Sequence, residues 1–127
     1  MSTVLIVEDN DKNMKLARDV LQAKGYQTLE AVTGEEGVRL AREKKPDLVL
    51  MDIQLPGING IEALRQLRAD PATAGIPVIA VTASAMTQDR QKILAAGFDA
   101  YQSKPISIRP FLDLVREVLD RPREART

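Results

Sequence analysis

An α/β fold with a doubly wound, five-stranded parallel sheet is predicted by three observations on this chain. Apolar segments of strand length alternate with segments of helical periodicity from one end to the other. The runs Val4-Leu5-Ile6-Val7, Leu48-Val49-Leu50-Met51 and Val78-Ile79-Ala80-Val81 are apolar throughout rather than alternating, as strands covered on both faces are. Glycine and proline punctuate the series at Gly25, Pro46, Gly57, Gly97 and Pro105. Strands alternating with helices imply right-handed crossovers and hence a parallel sheet.

The elements follow in order. Strand one is expected at about Val4 to Val7, and a helix from about Asn13 to Lys24 sets Met14, Ala17, Val20 and Leu21 on one face. Gly25 stands where a left-handed cap ends a helix. Strand two is expected at Thr28 to Ala31, then a helix from about Glu35 to Lys44, stopped by Lys45-Pro46. Strand three, Leu48 to Met51, leads into the turn-rich loop Leu55-Pro56-Gly57-Ile58-Asn59-Gly60 and a helix at about Ile61 to Arg68. Strand four is Val78 to Val81. The helix after it, about Thr87 to Ala96, offers only Met86, Ile93, Leu94, Ala95 and Ala96 for burial, so weak packing is expected there. Strand five is about Ala100 to Ser103. A last helix runs from Ser107 as N-cap to about Asp120, with Pro110 tolerated in its first turn and Phe111, Leu112, Val115, Val118 and Leu119 facing the core.

Composition narrows the chemistry. A chain of 127 residues, 44% apolar and 28% charged, suits one globular domain, expected over residues 1–121, with 122–127 a fraying tail and no output domain after it. No apolar run approaches the roughly 18 residues of a membrane span, and no signal sequence precedes the first strand; no membrane insertion is expected. Zero cysteine excludes thiolate chemistry and is compatible with a cytoplasmic location. Zero histidine excludes a histidine base, ligand or phosphohistidine within the chain, so phosphorus chemistry must run through carboxylate or hydroxyl. Eighteen basic residues balance eighteen acidic ones, and only Arg121, Arg123 and Arg126 cluster, so no nucleic-acid partner is expected.

Four strands end on residues of one kind of chemistry: Glu8-Asp9 after strand one, Asp52 after strand three, Thr82 after strand four, and Lys104-Pro105 after strand five. In a parallel sheet these C-terminal ends converge on one crevice. Three carboxylates, a hydroxyl and a lysine sharing a small volume call for a divalent cation, and hard oxygen donors suit Mg²⁺. Taken singly, each residue has a plainer reading. Glu8 and Asp9 also suit a helix N-terminus, Asp52 a turn, Thr82 a cap, Lys104 a solvated surface and Tyr101 a half-buried strand position. The joint placement favours a site. Asp52, held rigidly after four apolar residues, is the candidate nucleophile.

With these positions in place, the chain resembles the response-regulator receiver domains of two-component signalling over essentially its whole length. Leu5-Ile6-Val7-Glu8-Asp9-Asn10 and Met51-Asp52-Ile53-Gln54-Leu55-Pro56-Gly57-Ile58-Asn59-Gly60 carry the resemblance, with Thr82 and Lys104-Pro105. Through Met51 to Pro56 and Ser103-Lys104-Pro105-Ile106-Ser107 it is similar to stand-alone regulators of division and differentiation in alphaproteobacteria. The resemblance, not the residue pattern, implies the flavodoxin-like strand order 2-1-3-4-5. It further implies a non-enzymatic phosphoacceptor, limited to self-phosphotransfer and autodephosphorylation. Asp52 would take a phosphoryl group from a histidine kinase or a histidine phosphotransfer protein. Asp9, Asp52 and the backbone carbonyl of Gln54 would bind Mg²⁺ directly, with Glu8 acting through water. Thr82 and Lys104 would contact the phosphoryl oxygens, Thr82 and Tyr101 would switch, and Gln54 and Ser84 would tune the phosphoryl lifetime. The Lys104-Pro105 bond would be cis, and a downstream protein would dock on the face made by helix four, strand five and helix five. Glu8 departs from the aspartate that many receivers carry there.

Two other classes stand beside this reading. A phosphatase of the haloacid dehalogenase type shares the aspartyl phosphate but expects a second acid two residues after the nucleophile, where Gln54 stands. A phosphorylation-independent adaptor with the same fold would need no intact site.

Overall fold

The computed structural model describes residues 2–83 and 87–121, with the backbone alone at 87–89. Five parallel strands form one sheet in the order 2-1-3-4-5: β1 (Thr3–Val7), β2 (Gln27–Ala31), β3 (Leu48–Asp52), β4 (Val78–Thr82) and β5 (Ala100–Ser103). Helices α1 (Asp11–Ala23), α2 (Gly34–Lys44), α3 (Gly60–Ala69), α4 (Thr87–Ala95) and α5 (Ile108–Asp120) connect and follow them. The expected elements are all present, with ends shifted by a residue or two where caps and ladder bonds extend them.

The apolar runs lack alternation because both faces are covered, and the period of two decides which helix each residue meets. Leu5, Val7, Val49, Met51, Val78 and Ala80 pack with Val38 and Ala41 of α2, Ala63, Leu64 and Leu67 of α3, and Ile93 of α4. Val4, Ile6, Leu48, Leu50, Ile79 and Val81 pack with Met14, Ala17 and Leu21 of α1 and Phe111, Val115 and Val118 of α5. Val20, Leu112 and Leu119, expected on the core face, lie at its half-buried margin.

Helix starts follow short polar side chains. Asn10 caps α1 by accepting from Asn13 N–H, Thr33 caps α2 through Glu36 N–H, and Asn59 caps α3 through Glu62 N–H. Ser107 occupies the N-cap of α5 with extended backbone, but its hydroxyl makes no capping bond; its carbonyl accepts Phe111 N–H instead. Gly25 takes a φ of 90°, the left-handed cap expected of it.

Helix α4 packs weakly, as expected, and through fewer of its apolar residues than the sequence offers. Ile93 is buried, whereas Leu94 is 47% exposed and Ala95 and Ala96 face solvent. Met86, Ser84 and the tail at 122–127 lie outside the described residues, as do the side chains of Gln88 and Asp89. Below the sheet, Arg68 and Asp99 tie α3 to β4 and β5. Arg68 donates to the carbonyls of Ala74, Ile76 and Gly97 and to Asp99, whose carboxylate also accepts Val78 N–H at 2.8 Å.

Candidate phosphoacceptor and metal site

The parallel register brings the four strand ends level. Val7 pairs with Met51, Asp52 with Val81, and Thr82 with Ser103, so Glu8, Asp52, Thr82 and Lys104 emerge along one edge. Lys104 is joined to that edge through its backbone, its N–H donating to the Thr82 carbonyl at 2.8 Å. The Lys104-Pro105 bond is cis, as the resemblance implies.

Lys104 Nζ lies 2.9 Å from Asp52 Oδ2 and 3.0 Å from Glu8 Oε1, bridging the two carboxylates. Each carboxylate's other oxygen is held by backbone: Gln54 N–H donates to Asp52 Oδ1 at 3.1 Å, and Asn10 N–H to Glu8 Oε2 at 3.1 Å. Glu8, Asp52 and Thr82 are buried, Asp9 is exposed and Lys104 lies between. Carboxylate oxygens of Glu8, Asp9 and Asp52 all come within 4.8 Å of one another.

One ammonium among three carboxylates leaves the cluster short of positive charge. Burial raises the Glu8 carboxyl above its ordinary value, and Asp52 adds to this, while Lys104 and the Asn10 N–H pull it back. For Lys104, burial alone lowers the pKa, but the bonds and charges of Asp52 and Glu8 together outweigh it, so the net shift is upward and the ammonium form is secured. The donor set fits Mg²⁺: three hard oxygens in reach of one point, incompletely neutralised, with one of the acids open to solvent.

The structure thus gathers Glu8, Asp9, Asp52 and Lys104 into one contact group and sets Thr82 beside them. Gln54 is exposed, with its N–H on the Asp52 carboxylate. Tyr101 sits apart, half-buried on β5 opposite Ala80, with the Arg90 guanidinium 4.7 Å from its ring centre. Asn10 was legible only as part of a motif. Its two tasks, capping α1 and fixing Glu8, could have been read from a short amide placed before a helical run. A groove of about 320 Å³ between α1 and α5, lined partly by Val20, Ala23, Ile108 and Leu112, contains none of the site residues.

A strand edge that gathers this constellation defines a receiver domain, and comparison with known sequences agrees. The model of the response regulator receiver domain matches residues 4–116, and the chain belongs to that family. Receiver domains are signalling domains that take phosphoryl groups from histidine kinases or phosphotransfer proteins, and they bind Mg²⁺ at an acidic pocket. The chain is similar to the polar-differentiation response regulator DivK of Brucella anthropi, with 50% identity over 117 residues, 92% of this chain and 95% of the relative. DivK of Brucella abortus strain 2308 matches to the same extent. Among solved structures, the receiver domain of a sensor histidine kinase from Pseudomonas aeruginosa PAO1, with a magnesium ion coordinated in its active site cleft, superimposes with a TM-score of 0.88. It is 32% identical, covering 94% of this chain and 98% of that one. A CheY-like receiver protein from Methanospirillum hungatei JF-1 gives a TM-score of 0.85 at 31% identity, covering 100% and 99%. The protein is therefore a DivK-like response regulator with a phosphoacceptor signalling function. Among the described residues, no helix is long and apolar enough to cross a membrane.

Proposed function

We propose that Asp52 accepts the phosphoryl group, and that residues 1–121 form the receiver unit that reads it out. The observation that carries this is the Lys104 bridge: a single ammonium holds Asp52 at 2.9 Å and Glu8 at 3.0 Å in a cluster with an unspent negative charge. In the transfer, an Asp52 carboxylate oxygen forms the new bond to phosphorus as the bond to the donor's imidazole nitrogen breaks, with no redox change. Such transfer depends on alignment and charge stabilisation more than on covalent work by the protein.

Asp9, Asp52 and the Gln54 carbonyl would hold Mg²⁺, with Glu8 acting through water. The ion, when bound, supplies positive charge against the carboxylates and the incoming phosphoryl oxygens. Lys104 carries the second positive charge. Its backbone tie to Thr82 couples the lysine and the hydroxyl, so that both contact the same phosphoryl group. Gln54 and Ser84 would set how readily water reaches the acyl phosphate.

Tyr101 transmits the change. Movement of Thr82 toward the dianionic group draws the loop after β4 and opens space for the ring, shifting the population of two packings rather than the fold. The α4, β5 and α5 surface then engages a downstream protein in the cytoplasm. The donor is a histidine kinase or a histidine phosphotransfer protein, and the likeness to DivK favours a role in control of the cell cycle. The adaptor reading predicts no phosphate uptake. Incubation with acetyl phosphate and Mg²⁺ separates the two: acid-labile, one-to-one labelling supports the phosphoacceptor, and an unlabelled folded protein supports the adaptor.

A further inference from the structure

The turn from Asp52 into α3 is closed on two sides by backbone at positions where no side chain fits. Gly60 is the first residue of α3, and its N–H donates to the Ile53 carbonyl at 3.0 Å. A β-carbon there would overlap the Asp52 carbonyl oxygen and stand 2.9 Å from the Ile53 α-carbon, and no rotamer change relieves a clash with backbone. Across the loop, a β-carbon on Gly34, the first residue of α2, would meet Ile58 Cγ1 at 2.7 Å and the Ile58 carbonyl at 2.9 Å. Neither glycine has a positive φ, so backbone conformation does not require it. Helix propensity favours alanine over glycine by about 1 kcal/mol, which makes close approach the physical reason for glycine at both places.

We infer that Gly60 and Gly34 are positioning residues for the phosphoacceptor. They let the N-termini of α3 and α2 close on the loop at 53–59, and this fixes the Asp52 peptide and the direction of its carboxylate. The Asp52 carboxylate accepts Gln54 N–H two residues on, so a shift of the Asp52–Ile53 peptide moves the acceptor oxygens and the Gln54 backbone together. A displacement of about 1 Å at a reacting group is enough to slow its chemistry by about 100-fold. The inference rests on the phosphoacceptor reading above.

The test uses the full chain, Mg²⁺ alone in a calorimetric titration, acetyl phosphate labelling at saturating Mg²⁺, and the metal-free thermal midpoint. Gly60→Ala should weaken Mg²⁺ binding and slow labelling of the folded protein by about 100-fold, beyond what its fall in midpoint accounts for. Gly34→Ala should act in the same direction but less, and Gly34→Ala/Ile58→Ala should recover part of the loss. Gly37→Ala is the control: its β-carbon would meet a Val7 methyl at the same 2.7 Å but no atom of the loop, so it should lower the midpoint and leave Mg²⁺ affinity and labelling unchanged. Wild-type labelling in Gly60→Ala and Gly34→Ala, or losses that merely track the midpoint as in Gly37→Ala, would overturn the inference. If Gly60→Ala does not fold, the Gly34 pair decides on the same criteria. Wild-type protein that neither binds Mg²⁺ nor labels would defeat the phosphoacceptor reading and this inference together.

Discussion

The two ends of the sheet carry charge networks of opposite balance. At the C-terminal edge, Lys104 serves Asp52 and Glu8 while Asp9 stands within reach of the same point. At the N-terminal edge, Arg68 of α3 pairs with the Asp99 carboxylate and Arg121, at the end of α5, donates to the Asp99 carbonyl, while their remaining donors meet backbone carbonyls and Glu117. The lower network matches donors to acceptors and ties four elements together. The upper one keeps surplus negative charge around the buried Asp52. Charges of this kind stabilise a fold only when fully paired, so an under-neutralised cluster on a well-built sheet marks a place that awaits a ligand.

The same division separates the two helices beside β5. Phe111, Val115 and Val118 of α5 are fully buried, whereas Ile93 is the buried anchor among the described side chains of α4. A helix with little buried area is displaced by a few kcal/mol of differential binding, within reach of a phosphoryl group contacted by a lysine and a hydroxyl.

Five substitutions sharpen or break this contrast. The largest effect is expected from Asp52→Asn, which should abolish acid-labile phosphate incorporation while Lys104 keeps Glu8 as partner. Its unfolding free energy should stay within about 1 kcal/mol of wild type, because one clustered charge is removed with one ion pair. Undiminished labelling would show that another residue is the acceptor. Arg68→Ala should do the reverse, lowering stability by about 2 to 4 kcal/mol through unmet carbonyls and loss of the guanidinium beside Asp99. Labelling of the folded fraction should remain within about twofold, since the bonds described for Arg68 lie at the lower edge. A large loss of phosphorylation at constant stability would merge the two networks into one.

Within the upper network, Asp9→Asn should weaken Mg²⁺ binding about tenfold or more, and Glu8→Gln distinctly less, because both Glu8 oxygens already have protein partners. A calorimetric titration with the opposite ranking would exchange the two roles. The smallest effect belongs to Arg90→Ala. Loss of an exposed cation–π contact is expected to cost about 0.5 to 1 kcal/mol, and ring resonances of Tyr101 should shift in the unphosphorylated protein. Unchanged resonances would remove Arg90 from any account of how the ring is held.

Much of the site was legible because Glu8, Asp52 and Thr82 directly follow apolar runs and Lys104 directly follows a strand. A strand end is a local signal, and parallel strands must bring their ends together; this carried Glu8-Asp9, Asp52, Thr82 and Lys104 to one edge. The strand order itself came from family resemblance, since local patterns do not encode which strands pair. Which apolar residue of α4 is buried was not legible for a related reason. Leu94, Ala95 and Ala96 are apolar, but four consecutive residues circle the helix, and only the direction of the neighbouring sheet selects Ile93 for the core.

The sequence by itself determined the element types, the fold class and the chemical identity of the site, because these depend on periodicity and on residues at element ends. Only the tertiary structure decided that Lys104 bridges Asp52 and Glu8, that Asp99 locks the lower edge with Arg68, and that Gly60 lies against the Asp52 carbonyl. Each of those contacts joins positions distant in the chain or in its turns. Their distances are set by how helices settle on the sheet, which no local preference specifies.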